Sequence, residues 1–190
     1  MEPTVTRFKL DQIGEEMSVV TVKPDDAWLQ SLGLGADVRA DAGLAIDLEM
    51  VRVGEEVFVS GFLRGTLQMP CSRCLEPAHA PVDQAFRAVY FPTEQGRAGK
   101  GTEIEPGAPS ENVGEEAQSP DVFFHVRGWL DLTPMLREQL LLAIPARALC
   151  AEGCPGLCPT CGANQNRARC GCPPQAGISR LEKLRGLIQE

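Results

Sequence analysis

Residues 44–69 read LAIDLEMVRVGEEVFVSGFLRGTLQM and contain the pattern that decides the fold. In the first part of this stretch every second residue is apolar, namely Leu44, Ile46, Leu48 and Met50. Such alternation is typical of a strand with one buried face. After a turn at Gly54, apolar residues return at alternate positions, although two phenylalanines break the regularity. We therefore predict a β-hairpin that pairs residues 42–53 with residues 57–69.

Further strands are predicted on both sides of this hairpin. Its second strand contains Gly61 and Gly65, which mark positions where a strand bends or bulges. A third strand is predicted near Val82–Phe91, after a turn at Cys71–Pro81. The short apolar run Val122–Val126 predicts another strand that returns to the same sheet.

The helices are predicted from the residues at their ends. Residues 24–33 begin with Pro-Asp-Asp and end at a glycine, as short helices do. A second helix is predicted with Thr133 at the N-cap and Pro134 at the first helical position, ending before Pro145. The S-x-x-E sequence that begins at Ser179 is a capping box and predicts a C-terminal helix.

The charge of the chain is acidic and unevenly distributed. Residues 1–93 have 8 basic and 14 acidic side chains, residues 94–120 have 2 and 6, and residues 121–190 have 8 and 6, which gives the net charge of −8. An acidic surface repels a phosphate backbone, so broad non-specific nucleic-acid binding is disfavoured. A basic protein is the complementary partner, and the C-terminal region is the candidate RNA-facing surface.

Residues 94–120 contain five Gly, three Pro and six Glu and almost no bulky apolar side chains. Such a segment cannot bury enough surface to offset the entropy of ordering it, so a flexible acidic loop is predicted.

The first ten residues contain no apolar stretch of the secretory kind, and the apolar run 140–144 is too short to cross a bilayer. We therefore expect a cytoplasmic protein, with no membrane interaction, in which thiols stay reduced.

The eight cysteines form two clusters. The first cluster is the pair Cys71 and Cys74, at the end of the long strand. The second cluster consists of Cys150, Cys154, Cys158, Cys161, Cys170 and Cys172. Two thiolates at C-x2-C spacing can bind one tetrahedral Zn²⁺, and eight thiolates divide into two closed sites of four. We predict two structural zinc ions, with all eight cysteines as ligands.

Two groupings of these cysteines are open from the spacing. In one, the two C-x2-C pairs share an ion, so that 71/74 join 158/161. In the other, 71/74 join 150/154, and 158/161 with 170/172 form a self-contained finger. The eight residues between Cys161 and Cys170 are enough for the chain to fold back on one ion, so we prefer the second grouping.

Other chemistries are less compatible with the pattern. A redox C-x2-C requires a βαβ setting at a helix N-terminus, whereas Cys71 follows a predicted hairpin. An iron–sulfur cluster would also use cysteines but is a less common outcome of this spacing. The sequence contains no G-x-S-x-G, phosphate-binding glycine loop or H-E-x-x-H, and closed thiolate sites leave no position for a water. We therefore predict a protein that is not an enzyme and has no small-molecule substrate.

These observations predict an α+β fold, with an antiparallel β-sheet or partial barrel, a few helices and a C-terminal cysteine-rich zinc-binding segment. The predicted divisions are a β-rich part (1–93), the flexible acidic loop (94–120), a strand and helix that complete the same domain (121–149), and the cysteine-rich segment with its C-terminal helix (150–190).

Three stretches of the chain resemble the YceD family. They are MPCSRCL at 69–75, LREQLLLAIP at 136–145 and CPGLCPTCGANQN at 154–166, and they occur in the family's order. The closing Arg180-Leu181 with Leu184 resembles the family too. Gln165 stands where the family tends to have Leu, and the acidic loop is extended. The C-x-G-L-C-P-x-C-G-x-N-x-N string is the most specific of these motifs.

The resemblance implies a bacterial or plastid protein needed for the accumulation of large-subunit ribosomal RNA, and hence a role in ribosome biogenesis. The family's gene commonly lies beside that of a small, basic, zinc-containing ribosomal protein of the large subunit. The resemblance implies no catalytic residues. Some shorter members lack the downstream C-P-x-C-G segment but keep the C-x-R-C pair and metal-type residues after the proline that ends the helix. This supports grouping 71/74 with 150/154.

Our leading hypothesis from the sequence is a zinc-stabilised adaptor for a large-subunit ribosomal protein, for the large-subunit rRNA precursor, or for both. The candidate RNA contacts are the basic residues of the C-terminal region: Arg167, Arg169, Arg180, Lys183 and Arg185. The alternative is a thiol-based redox or zinc-sensing switch, which requires accessible cysteines of low pKa.

Overall fold

The structure is a computed structural model that describes residues 6–41, 43–93 and 121–173. The predicted acidic loop at 94–120 and the predicted C-terminal helix that begins at Ser179 lie outside these residues.

Within the described residues the chain forms one mixed β-sheet, two α-helices and a short 3-10 helix. The strands are β1 (Arg7–Lys9), β2 (Ser18–Val22), β3 (Arg39–Ala40), β4 (Ala45–Val53), β5 (Glu56–Pro70), β6 (Pro77–Thr93), β7 (Asp121–Val126) and β8 (Trp129–Asp131). The helices are α1 (Asp26–Ser31) and α2 (Thr133–Ala143), and the 3-10 helix is Leu10–Gln12. The strand order is β1-β8-β7-β6-β5-β4-β2, and β3 pairs with β5.

The predicted hairpin is confirmed as the antiparallel pair of β4 and β5. Its register runs from Val53 opposite Glu56 to Ala45 opposite Arg64, so only two residues form the turn. The first of them, Gly54, has a φ of 64°, which suits a residue without a Cβ. The alternating apolar residues of β4 are buried, as their period requires.

The two glycines of β5 have different structural roles. Gly61 stays in register opposite Leu48, and a Cβ there would lie 2.6 Å from the Phe86 ring, so its missing side chain makes room for that ring. Gly65 has a φ of 132° and lies beyond the last residue that pairs with β4. From Leu67 onward β5 pairs with β3 instead, so Gly65 marks the position where the long strand changes partner.

The prediction of an antiparallel sheet is wrong at one pair of strands. β6 and β7 are parallel, with Tyr90 opposite Phe123, whereas β1–β8, β2–β4, β3–β5, β4–β5 and β7–β8 are antiparallel. Parallel neighbours need a connection of a dozen or more residues. The sequence between Thr93 and Asp121 is 27 residues long, which is enough for the chain to return and enter β7 in the direction of β6.

Both predicted helices within the described residues are present, but the start of α2 differs from the prediction. α1 begins where the Asp25 carboxylate accepts the backbone N–H of Trp28 at 2.7 Å, and it is followed by Gly33 with a φ of 68°. In α2, Thr133 is the first helical residue and not the N-cap. The backbone N–H of Thr133 has no acceptor within the helix and donates to the Asp131 carboxylate at 2.9 Å.

The chain divides into two compact units. The first, called the sheet unit, comprises Met1–Met69 and His79–Ala146, and the second, called the cysteine unit, comprises Pro70–Ala78 and Arg147–Glu190. The core of the sheet unit includes the buried rings of Tyr90 and Phe123, whose centroids are 5.3 Å apart. None of the helices in the described ranges has the length and apolar character needed to span a bilayer.

Candidate metal centres

The eight cysteines all lie in the described part of the cysteine unit, and all are free thiols. They form two groups, in each of which the four Sγ atoms lie within 4.8 Å of one another. Tetrad 1 consists of Cys71, Cys74, Cys150 and Cys154. Tetrad 2 consists of Cys158, Cys161, Cys170 and Cys172. Of the two groupings that the spacing left open, the structure shows the one that joins 71/74 to 150/154.

Tetrad 1 is assembled on the turn that connects β5 to β6. The backbone N–H of Cys71 donates to the carbonyl of Glu76 at 2.8 Å, and that of Leu75 donates to the carbonyl of Cys71 at 3.0 Å. Leu75 adopts a φ of 63°, so the C-x2-C segment closes as a tight turn. The N–H of Ser72 donates to the carbonyl of Ala148 at 2.8 Å, which holds the segment before Cys150 beside the turn.

The sulfur separations in tetrad 1 fit a tetrahedral ion. Cys71 Sγ is 3.8 Å from Cys154 Sγ, and Cys74 Sγ is 3.6 Å from Cys150 Sγ. Four sulfurs at about 2.3 Å from a tetrahedral metal are roughly 3.8 Å apart, whereas a disulfide requires about 2.05 Å. Cys71, Cys74 and Cys154 are buried and Cys150 is exposed, so three of the four candidate ligands are shielded from solvent.

Tetrad 2 is built on the second C-x2-C turn. The N–H of Gly162 donates to the carbonyl of Cys158 at 2.8 Å, and the N–H of Cys158 donates to the carbonyl of Ala163 at 2.8 Å. Gly162 has a φ of 73°, a conformation that a glycine after the second cysteine adopts without strain. Only Cys158 is buried in this group, whereas Cys170 and Cys172 are half-buried and Cys161 is exposed, so tetrad 2 is more open to solvent than tetrad 1.

The thiols of each tetrad have divergent pKa values in the absence of a cation. A hydrogen bond with the Cys150 backbone lowers the pKa of Cys71 to about 6, and one with the Cys161 backbone lowers the pKa of Cys158 to about 6. A side-chain hydrogen bond with Cys154 raises the pKa of Cys150 to about 12. A side-chain hydrogen bond with Cys161 likewise raises the pKa of Cys172 to about 12. Four adjacent thiols cannot all ionise unaided, so each tetrad requires a cation to become four thiolates.

Gly156 allows the chain after Cys154 to pass directly over the C-x-R-C turn. Its φ is 82°, and a Cβ on it would lie 2.9 Å from the backbone oxygen of Arg73. Next to it, the N–H of Leu157 donates to that oxygen at 3.1 Å. The Arg73 guanidinium donates to the carbonyl of Cys154 at 2.8 Å, which fixes this crossing from both sides.

We expect Gly156→Ala to destabilise the cysteine unit. A non-glycine residue in this conformation costs about 1–2 kcal/mol, and the clash with the Arg73 oxygen adds to that cost. Gly153→Ala is the matched control, because a Cβ there meets nothing within 4 Å. Resistance of the cysteine unit to limited proteolysis will fall in the first variant and stay at the wild-type level in the second. Equal resistance of the two variants would contradict this account of the crossing.

Three polar residues of the site were not predicted from the sequence. Asn164 Nδ2 donates to the Glu76 carboxylate at 3.2 Å, and Asn166 Nδ2 donates to Cys154 Sγ at 3.4 Å. The N-x-N spacing within the cysteine-rich string was the one available signal for the two asparagines. Glu76 was not identifiable, because it is a single acidic residue in an acidic chain.

The candidate RNA contacts have different surroundings. Arg167 forms an ion pair with Glu76, with 2.6 Å between Nη2 and Oε1. Arg169 is exposed. Arg180, Lys183 and Arg185 lie outside the described residues.

Fold and site together define a β-sheet protein with two sets of four cysteines, each of which could hold a metal ion. The chain belongs to the YceD family: residues 59–188, which include all eight cysteines, match the family model described as large ribosomal RNA subunit accumulation protein YceD.

Several known proteins are similar to this chain, and some of them are named as YCED homologs. An uncharacterized protein of Mycobacterium tuberculosis (strain ATCC 25618 / H37Rv) is 27% identical over 119 residues, which is 63% of this chain and 50% of that protein. The large ribosomal RNA subunit accumulation protein YCED homolog 1, chloroplastic, is 23% identical in Arabidopsis thaliana, over 76% of this chain and 49% of that protein. The protein of the same name in Zea mays is 26% identical, over 82% of this chain and 56% of that protein. The chain thus spans about half the length of these relatives, and no solved structure matches it.

Proposed function

We propose that the protein is a non-enzymatic, zinc-stabilised factor of ribosome biogenesis that supports the accumulation of large-subunit (23S) ribosomal RNA. The observation that carries the proposal is the family match over residues 59–188. The plant relatives that share most of this chain are named for the same role. The chain spans about half the length of those proteins, so their named role is a proposal for this chain.

Zinc is the metal that we assign to both tetrads. Four thiolates in a tetrahedral arrangement are the ligand set of structural zinc sites, and zinc has no redox chemistry that could damage the thiols. Within each tetrad the four Sγ atoms lie close enough together to complete the coordination shell. A closed shell leaves no position for a water or a substrate, so the metal serves the fold and not a reaction.

The partner that we propose is a basic ribosomal protein of the large subunit, the large-subunit rRNA precursor, or both. Residues 1–93 have six more acidic than basic side chains, which favours a basic partner through complementary charge. Arg169 is the described basic residue that we assign to RNA contact, because Arg167 is already paired with Glu76. We propose a cytoplasmic location for the protein, where ribosomal RNA would assemble with such partners.

The redox-switch alternative requires a thiol that is both acidic and accessible. Cys71 has a lowered pKa but is fully buried, with 0% exposure, and Cys158, also lowered, is 5% exposed. Cys150 is exposed, but its pKa is raised to about 12. In Cys71, Cys158 and Cys150 a lowered pKa and solvent exposure do not occur in the same thiol, which supports a structural role for these three cysteines. Mild peroxide should accordingly leave bound zinc in place, whereas a switch would release it.

Depletion of the protein tests the proposed function. We expect large-subunit rRNA to fall relative to small-subunit rRNA and free large subunits to become scarce in sucrose gradients. A wild-type copy should restore both, whereas a copy with Cys71→Ser and Cys74→Ser should not. Ser72→Ala is the matched control, because Ser72 lies exposed between the two cysteines and is expected to restore both. Normal rRNA and normal subunit profiles after depletion would refute the proposal.

A further inference from the structure

The loop between Cys161 and Cys170 belongs to tetrad 2, but its side chains bind the ligand segments of tetrad 1. Asn166 Nδ2 donates to Cys154 Sγ at 3.4 Å. A residue that tetrad 2 holds in place therefore makes a direct contact with a sulfur of tetrad 1.

Asn166 is itself oriented by the neighbouring Asn164. The Asn164 side-chain oxygen accepts the backbone N–H of Asn166 at 3.0 Å and its Nδ2 at 2.9 Å. Asn164 Nδ2 donates in turn to Glu76, in the turn that contains Cys71 and Cys74. The two asparagines thus link one loop of tetrad 2 to both halves of tetrad 1.

Further contacts hold the same loop in position. The Arg167 guanidinium pairs with Glu76 at 2.6 Å, so Glu76 accepts from two residues of the loop. The backbone N–H of Gln165 donates to the carbonyl of Gly156 at 2.9 Å, and Leu157 and Asn164 form an isolated β-bridge. These contacts tie the loop to the C-x-R-C turn and to the chain that follows Cys154.

We propose that the two metal centres are thermodynamically coupled through this loop, with Asn166 as a positioning residue that donates to the Cys154 thiolate. The inference rests on the proposed metal binding and adds to it a relation between the two sites. Metal in tetrad 2 closes the loop and so places Asn164, Asn166 and Arg167 against tetrad 1. A hydrogen bond to a metal-bound thiolate stabilises its negative charge and fixes its direction.

The coupling has two consequences for the order of metal binding. Any gain that metal in tetrad 2 gives to tetrad 1 must operate equally in the reverse direction, because coupling of binding free energies is reciprocal. Tetrad 2 contains the exposed Cys161 and two half-buried ligands, so a chelator reaches it first. Its loss then weakens tetrad 1, so the two sites do not bind metal with independent affinities.

The test uses the full-length protein and measures metal affinity by competition with a chelator, with the metal count from native mass spectrometry. Asn166→Ala keeps all eight thiols, so this variant should still bind two zinc ions. We expect the zinc affinity of tetrad 1 to fall roughly ten- to a hundredfold, which is the usual effect of removing a hydrogen-bond donor to a metal ligand. Cobalt(II) absorption reports whether each site stays tetrahedral. Gln165→Ala is the control, because this neighbouring amide residue joins the loop contacts through its backbone N–H and should leave both affinities unchanged.

A second variant separates the coupling from a local effect of the amide. Cys158→Ser with Cys161→Ser removes tetrad 2, and tetrad 1 should lose a similar factor. Adding Asn166→Ala to that variant should produce little further loss, since the loop is already released. Wild-type tetrad 1 affinity in Asn166→Ala, or full additivity of the two changes, would overturn the coupling. A wild-type protein that binds no metal would instead refute the zinc-stabilised function on which the coupling rests.

Discussion

Removal of metal with a strong chelator is expected to unfold the cysteine unit and to leave the sheet of the sheet unit folded. In the described part of residues 147–173, the regular pairing between strands is limited to one isolated bridge, Leu157 with Asn164. A segment of this size cannot bury enough apolar surface to fold alone. Each structural zinc contributes about 10–16 kcal/mol of binding free energy, which becomes folding free energy when the empty site is unstructured.

Amide NMR spectra recorded before and after chelation measure this effect. Resonances of residues 70–78 and 147–173 should collapse to random-coil positions and return when zinc is added back. Those of the β4–β5 hairpin should persist. Native dispersion of the cysteine-unit signals in metal-free protein would show that thiol packing alone maintains this unit.

Phe123→Ala is expected to destabilise the sheet unit by about 3–5 kcal/mol, the range for a buried phenylalanine truncated in a packed core. Phe123 is 1% exposed on β7, and its ring is stacked on that of Tyr90, on the parallel neighbour β6. Urea denaturation followed by far-UV circular dichroism measures the loss. The metal count should stay at two, because Phe123 belongs to the sheet unit and all eight tetrad cysteines belong to the cysteine unit.

Phe58→Ala is the matched control for this substitution. Phe58 lies on β5 but is 43% exposed, so its truncation should change the free energy of unfolding by about 0.5 kcal/mol or less. Similar losses in the two variants would contradict the placement of Phe123 in the packed core.

The local structure of the sheet was predictable where one face of a strand is buried. The alternation from Leu44 to Met50 determines which side chains enter the core, and a two-residue turn then sets the register of β4 and β5. The direction of β7 was not predictable, because the apolar pattern of a strand is the same whether it pairs parallel or antiparallel. Likewise, the spacing at Thr133 indicated a cap, but Asp131 supplies the carboxylate.

The candidate site was predictable at the level of ligand type but not of its surroundings. Cysteine spacing indicates metal ligands because thiolates must converge on one ion, and this holds for any fold. The choice between two groupings depended on whether the segment before Cys150 returns to the C-x-R-C turn, which is a long-range contact. Glu76 and Asn166 act through single hydrogen bonds, and no periodic pattern reveals such contacts.

Metal stoichiometry tests the central claim most directly. Purified wild-type protein should contain two zinc ions per chain. Cys71→Ser with Cys74→Ser should leave one, bound by tetrad 2, and adding Cys150→Ser and Cys154→Ser should leave that ion in place. Loss of the last ion from the fourfold variant, or a wild-type protein that contains no zinc, would contradict the account.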